Sequence, residues 1–147
     1  MKIYLDDIRT PIDDYNWTIV RSYDEFVDLI NGVDDFSKIE LISLDHDLGE
    51  SAMNEFFISQ QTYKINYDRI KEKTGLDCAK FLVEHYLDMT DPKGLGLESS
   101  IPFPDVKVHS ANPIGSANIM GYINNFLMTL RKPQTCVRWR PTIKPIG

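Results

Sequence analysis

The chain has 147 residues, 42% of them apolar and 26% charged, with a net charge of −6, the profile of one soluble globular domain with a real core. No apolar stretch nears the roughly 18 residues a membrane helix needs, and the opening MKIYLDD lacks the apolar core of a secretion signal. Two cysteines, Cys78 and Cys136, have no CxxC spacing and make no disulfide framework, so a reducing cytoplasm is the expected location.

In chain order, MKIYL (1–5) reads as a buried strand ending at Asp6 and Asp7. Residues 8–16 (IRTPIDDYN) are turn-rich, and WTIVR (17–21) is a second strand. Ser22, with Glu25 three residues on, forms a capping box. The helix it opens carries Tyr23, Phe26, Val27 and Ile30 on one face and stops at Gly32. ELISL (40–44) is a third strand, apolar enough to be covered on both sides.

Residues 50–73 mix aromatic and polar side chains, fit neither the helical nor the strand period, and read as an insertion or lid. Thr74 caps a helix running to about Asp88 that buries Cys78, Phe81, Leu82 and Tyr86. A loop with Pro92, Pro102 and Pro104 leads to a fourth strand, VKVH (106–109). Asn112 and Pro113 then start a helix lined inwardly by Met120, Ile123, Phe126, Leu127 and Leu130. TCVRW (135–139) is the last strand. It lies in a 131–147 stretch with five basic and no acidic residues, while the preceding 130 residues carry a balance of −11. A solvated end and a polyanion-facing edge are equally open readings of that tail.

Strands alternating with helices over one domain, residues 1–147, imply a parallel sheet with helices on both faces. The eleven residues 6–16 between the first two strands hold little helix, so the first crossover helix is missing or degenerate. Ligands of such sheets bind beyond the carboxyl ends of the strands. Strand one ends in Asp6 and Asp7, and strand three in Asp45, His46 and Asp47. Strand four ends in His109, Ser110 and Asn112, and strand five in Arg138 and Arg140. Crowded carboxylates need a neutralising cation. Oxygen-only ligation by Asp6, Asp7 and Asp45, with Asp47 either a fourth ligand or a turn former, suits Mg²⁺ or Mn²⁺. The first helical turn after Asn112, with Ser110, Arg138 and Arg140, suits a phosphate. His46, between two aspartates, is the first choice for proton transfer and His109 the second. His85, Ser116, Asn118 and the tryptophans Trp17 and Trp139 read as packing or surface residues, with base stacking by Trp139 the weaker alternative.

The motifs LDDIRTP, SLDHDLG, TGLDCA and VHSANPIGSANI, taken in order, resemble the cyclic-phosphate-processing receiver-like domain, a divergent branch of the response-regulator receivers found in tailed phages and bacteria. The resemblance covers most of residues 1–130. It implies a flavodoxin-like α/β fold with a five-stranded sheet of order 2-1-3-4-5, Mg²⁺ held by Asp6, Asp7 and Asp45, and Ser110 on the phosphate. It departs from signalling receivers in two respects. Arg138-Trp139-Arg140-Pro141 stands where a lysine is expected, and His46 and His109 are foreign to that group. The expected activity is a metal-dependent phosphoesterase working on Asp45, His46 and His109, with a nucleotide or RNA end bearing a cyclic phosphate as partner. The competing expectations are a non-signalling module that binds a protein partner, and a nucleic-acid accessory factor whose affinity would fall steeply with salt.

Overall fold

Ile3 and Leu5, Ile42 and Leu44, alternating along their segments, are fully buried, and they mark the face on which the molecule is built. They belong to a parallel sheet of β1 (Lys2–Leu5), β2 (Trp17–Val20), β3 (Leu41–Leu44) and β4 (Asp105–Val108), in the order β2-β1-β3-β4. The computed structural model describes residues 1–13, 16–96 and 98–130. The expected fifth strand, TCVRW, lies outside them, as do Arg138, Trp139 and Arg140.

The four helices are α1 (Tyr23–Gly32), α2 (Glu50–Thr62), α3 (Gly75–Thr90) and α4 (Pro113–Leu130), with single 3-10 turns at Phe36–Lys38 and Tyr67–Arg69. Ser22 caps α1 by accepting from the Glu25 amide at 3.2 Å. Asp77, in the first turn of α3, reaches back to accept the Thr74 amide at 2.8 Å. Phe26 and Ile30 of α1, Cys78, Leu82 and Tyr86 of α3, and Ile119, Ile123 and Phe126 of α4 join the sheet's apolar row in one core. His85 packs among Phe36 and Phe81, as its place on a helix implied.

The expectation of helices on both faces is corrected. Among the described residues, the helices packed on the sheet (α1, α3 and α4) contact one another in series and share one face. Tyr4, Trp17, Ile19 and Leu41 point the other way and stay outside the core, partly exposed. The cause is in the β1–β2 link: its described residues, 6–13 and 16, form no helix, so none of them supplies a crossover helix to the second face.

Residues 50–73 are corrected too, from an aperiodic insertion to helix α2 and a returning segment. The buried stripe of α2 is Ala52, Glu55 and Ser59, at helical spacing but without large apolar side chains, whereas Met53, Phe57 and Ile58 are exposed. An apolar-periodicity search looks for the reverse pattern. No side chain of its own caps α2. Glu72 does so from the returning segment, accepting from the Ser51 hydroxyl and, at 2.8 Å, from the Ala52 amide.

Two glycines set how closely the helices approach the end of β3. A Cβ on Gly75 would lie 1.9 Å from the Asp45 carbonyl oxygen, and one on Gly115 would lie 2.4 Å from the His46 ring. The Gly75 amide donates to the His46 carbonyl at 2.9 Å, so α3 begins directly on the backbone that carries Asp45.

Candidate active site

The hydrogen-bond ladder runs one residue past the strand ends. The Asp6 amide donates to Val20 at 3.1 Å, the Asp45 amide to Leu5 at 2.9 Å, and the His109 amide to Leu44 at 3.0 Å. Asp6, Asp45 and His109 therefore form the next row beyond the paired residues Leu5, Leu44 and Val108. The two-residue period sends their side chains to the face of Tyr4, Ser43 and Lys107, away from the helical core. Sheet register alone brings three of the expected site residues together.

Ligating oxygens of Asp6, Asp7 and Asp45 lie within 4.8 Å of one another, a cluster that could hold a cation. Asp6 Oδ1 accepts from the Ile8 and Arg9 amides at 2.9 and 2.7 Å, an aspartate turn that shapes the LDDIR segment. Burial raises its pKa, but those amides and the Arg9 guanidinium outweigh it and hold Asp6 below the usual range. Burial and the Asp6 charge push Asp7 up. Asp45 is raised to about 6, by burial first and the Asp6 charge second, with Ser110, Arg9 and the His46 amide offsetting part.

His109 lies across β3. Its ring stacks on Tyr4, centroids 4.2 Å apart and planes 7° from parallel. Nδ1 meets the Ser43 hydroxyl at 2.7 Å and Nε2 meets Asp6 Oδ2 at 3.1 Å. With the carboxylate only accepting, Nε2 carries the proton and the Ser43 hydroxyl donates to Nδ1. Burial lowers the His109 pKa despite Asp6, so the ring is neutral near pH 7. Serine at position 43 is small enough for the imidazole to pass over it and reach β1.

His46 has a different place. It is 0% exposed, packed under Gly115, with Nδ1 2.8 Å from Asp47 Oδ1 and Nε2 2.9 Å from the Tyr67 hydroxyl. Asn118 donates to that hydroxyl at 3.0 Å, leaving its proton for His46 Nε2, and Nδ1–H then donates to Asp47. Asp47 also faces the Asn112 carboxamide at 3.4 Å and is not part of the acidic cluster. Asn112 is 1% exposed, and its oxygen accepts the Gly115 amide at 3.0 Å, capping α4. His46, Asp47 and Asn112 thus form a buried clasp between the end of β3 and α4, in which Asn112 caps the helix and none of the three side chains joins the acidic cluster. Ser110 does reach the cluster, its side chain offsetting part of the rise in the Asp45 pKa.

Several residues of the site escaped the sequence reading. Arg9 spans Asp6 and Asp45, at 2.8 and 3.4 Å. Arg21 braces its loop, donating to the Arg9 carbonyl at 2.6 Å and the Asp6 carbonyl at 3.1 Å. Ser43, Tyr4 and Tyr67 hold the two imidazoles. Only Arg9 left a usable sign, being three residues from Asp6 in a turn-forming segment. Two cavities of about 550 and 440 Å³ lie between α2 and the returning segment, sharing Glu55, Ile58 and Arg69 in their linings, and neither is lined by the acidic cluster.

The sequence model of the cyclic-phosphate processing receiver domain matches residues 1–125. The chain belongs to that family. No curated protein and no solved structure shows significant similarity to it. Four strands of this receiver-like domain, in order 2-1-3-4, are the part of the expected sheet seen among the described residues. No helix among those residues is long and apolar enough to cross a membrane.

Proposed function

We propose that this receiver-like domain is a metal-dependent phosphoesterase acting on nucleotides or RNA ends that carry a cyclic phosphate. The carrying observation is the row Asp6, Asp45 and His109, with Asp7 completing an oxygen-only donor set. Three carboxylates in that space, one of them raised to about 6, retain negative charge that Arg9 does not fully offset. That is the donor chemistry a hard divalent cation such as Mg²⁺ or Mn²⁺ prefers. Asp6, Asp7 and Asp45 would hold the cation, which supplies Lewis-acid polarisation of a phosphoryl oxygen.

The chain's own groups do the rest. Hydrolysis forms a bond from a water oxygen to phosphorus and breaks one ring P–O bond, and the water proton ends on the released sugar oxygen. His109 is the proton carrier, since its imidazole is neutral, titratable and in contact with the cluster through Nε2. Ser43 fixes its tautomer and Tyr4 its plane. Ser110 offers a hydroxyl to the phosphate beside Asp45, and Arg138 and Arg140 supply positive charge from the basic tail. His46 keeps the β3 end and α4 in register from below. Incubation with 2′,3′-cyclic nucleotides and Mn²⁺ should release the 2′ or 3′ monoester, and Asp45→Asn should abolish release. No turnover over a broad panel of cyclic nucleotides and cyclic-ended oligoribonucleotides would remove the enzyme reading.

A second reading, a non-signalling binding module, draws on α2, whose Met53, Phe57 and Ile58 are exposed while its inner stripe is polar. It expects partner binding unaffected by Asp45→Asn, and no phosphorylation of Asp45 by acetyl phosphate.

A further inference from the structure

Arg9 sits inside the acidic cluster. Its Nε is 2.8 Å from Asp6 Oδ2 and a terminal nitrogen is 3.4 Å from Asp45 Oδ1, so one guanidinium spans two of the three carboxylates. Those carboxylates are 1% and 7% exposed, yet the Arg9 side chain is 49% exposed. A guanidinium has five N–H donors, and these two contacts leave the others toward the open side. The backbone of residue 9 is secured separately. Its amide donates to Asp6 Oδ1 at 2.7 Å and its carbonyl accepts from Arg21 at 2.6 Å. The loop is therefore held by backbone contacts that do not involve the guanidinium.

A cation entering between Asp6 and Asp45 meets a positive charge already bound to the same carboxylates, and the two compete. A planar fork released beside that cation is well shaped for a phosphate. We infer that Arg9 is a displaceable counter-ion: it occupies Asp6 and Asp45 in the cation-free protein and, once displaced, becomes the phosphate-holding arm of the site. This rests on the metal-dependent reading above. It has consequences of opposite sign, since Arg9 opposes the cation and assists the anion. A residue serving only to stabilise the loop would do neither.

The experiment uses the whole chain and two titrations by calorimetry: Mn²⁺ alone, then inorganic phosphate into Mn²⁺-saturated protein. Arg9→Gln removes the fork and its charge, and Arg9→Lys keeps a charge without the fork. Lys107→Gln removes one positive charge from the same sheet face without touching the cluster. Arg9→Gln should bind Mn²⁺ roughly tenfold more tightly than wild type or Lys107→Gln, and phosphate roughly tenfold more weakly, the scale of one charge-assisted contact. Arg9→Lys should fall between wild type and Arg9→Gln in both titrations. Mn²⁺ uptake by Arg9→Gln alone, with none by wild type, would sustain the inference. Mn²⁺ affinity no tighter than that of Lys107→Gln, or undiminished phosphate binding, overturns the role of Arg9 and leaves the metal site standing. Absence of Mn²⁺ uptake in every variant ends the metal-dependent reading, and the role of Arg9 with it.

Discussion

His109 and His46 show how little a residue's type says about its work. Both are histidines at a strand's carboxyl end, and both have two hydrogen-bonded ring nitrogens. His46 is enclosed by Gly115, Tyr67 and Asp47, and its ring nitrogens meet Asp47 and Tyr67, neither of them a member of the acidic cluster. His109 ends on Asp6, a member of the acidic cluster. His109→Gln keeps an amide capable of hydrogen bonding there but removes titration. It should lower turnover of a cyclic nucleotide about 100-fold, as loss of a general acid or base does, while Mn²⁺ affinity by calorimetry stays within about threefold of wild type. Equal turnover in the two proteins would strip His109 of proton transfer. The placement of Asp45, His109 and Ser110 at neighbouring strand ends was legible from the sequence because an apolar strand fixes where its carboxyl end lies. Arg9 was only half legible: its spacing from Asp6 in a turn-forming segment is a local sign, but its reach to Asp45 depends on the pairing of β1 with β3.

At the scale of elements, the first residue of α3 matters more than its interior. Gly75 places the helix against the Asp45 carbonyl with no room for a side chain. Backbone cannot repack as a flexible side chain can, so Gly75→Ala should push α3 away from β3. Urea unfolding should then show a loss of about 2–4 kcal/mol, the upper range for overpacking and backbone strain. Mn²⁺ affinity should drop in parallel, since the displaced segment carries Asp45. An unchanged unfolding midpoint would mean that the helix start relaxes freely. The same scale explains why α2 was hidden in the sequence. Its buried positions, Ala52, Glu55 and Ser59, carry little apolar signal, and its capping carboxylate, Glu72, comes from beyond the helix's far end.

For the whole molecule, the site is held at a cost to the fold. In the cation-free protein, burial and the Asp6 charge raise Asp45 from its ordinary 3.8 to about 6. Between those values the folded chain binds the proton more readily than the unfolded one. This group's contribution to stability therefore falls as pH rises through that window and is fully lost above it. Asp45→Asn has no such charge. With EDTA present, it should melt at a higher temperature than wild type near pH 8, with the gap closing as pH falls to about 4; a pH-independent gap would refute the charge argument. The four described strands and three of the four helices were readable because hydrophobic runs and caps are local signals, and the order of the strands followed from the family resemblance. The placement of the described helices on one face was not, because the sequence shows that the first crossover helix is missing or degenerate but not which face it would have covered. Tyr4 and Trp17 read equally well as core residues until the sheet's facing is known.

Because Asp6 and Asp45 are neighbours only through the pairing of β1 with β3, the cluster is hostage to that alignment. A slip of one position between these strands would turn every side chain of the shifted strand over, sending the Asp45 carboxylate into the apolar layer and Leu44 to the open side. The proposed cation uptake would then serve as a gauge of strand alignment, lost in any misfolded form that keeps its secondary structure but pairs its strands one place out.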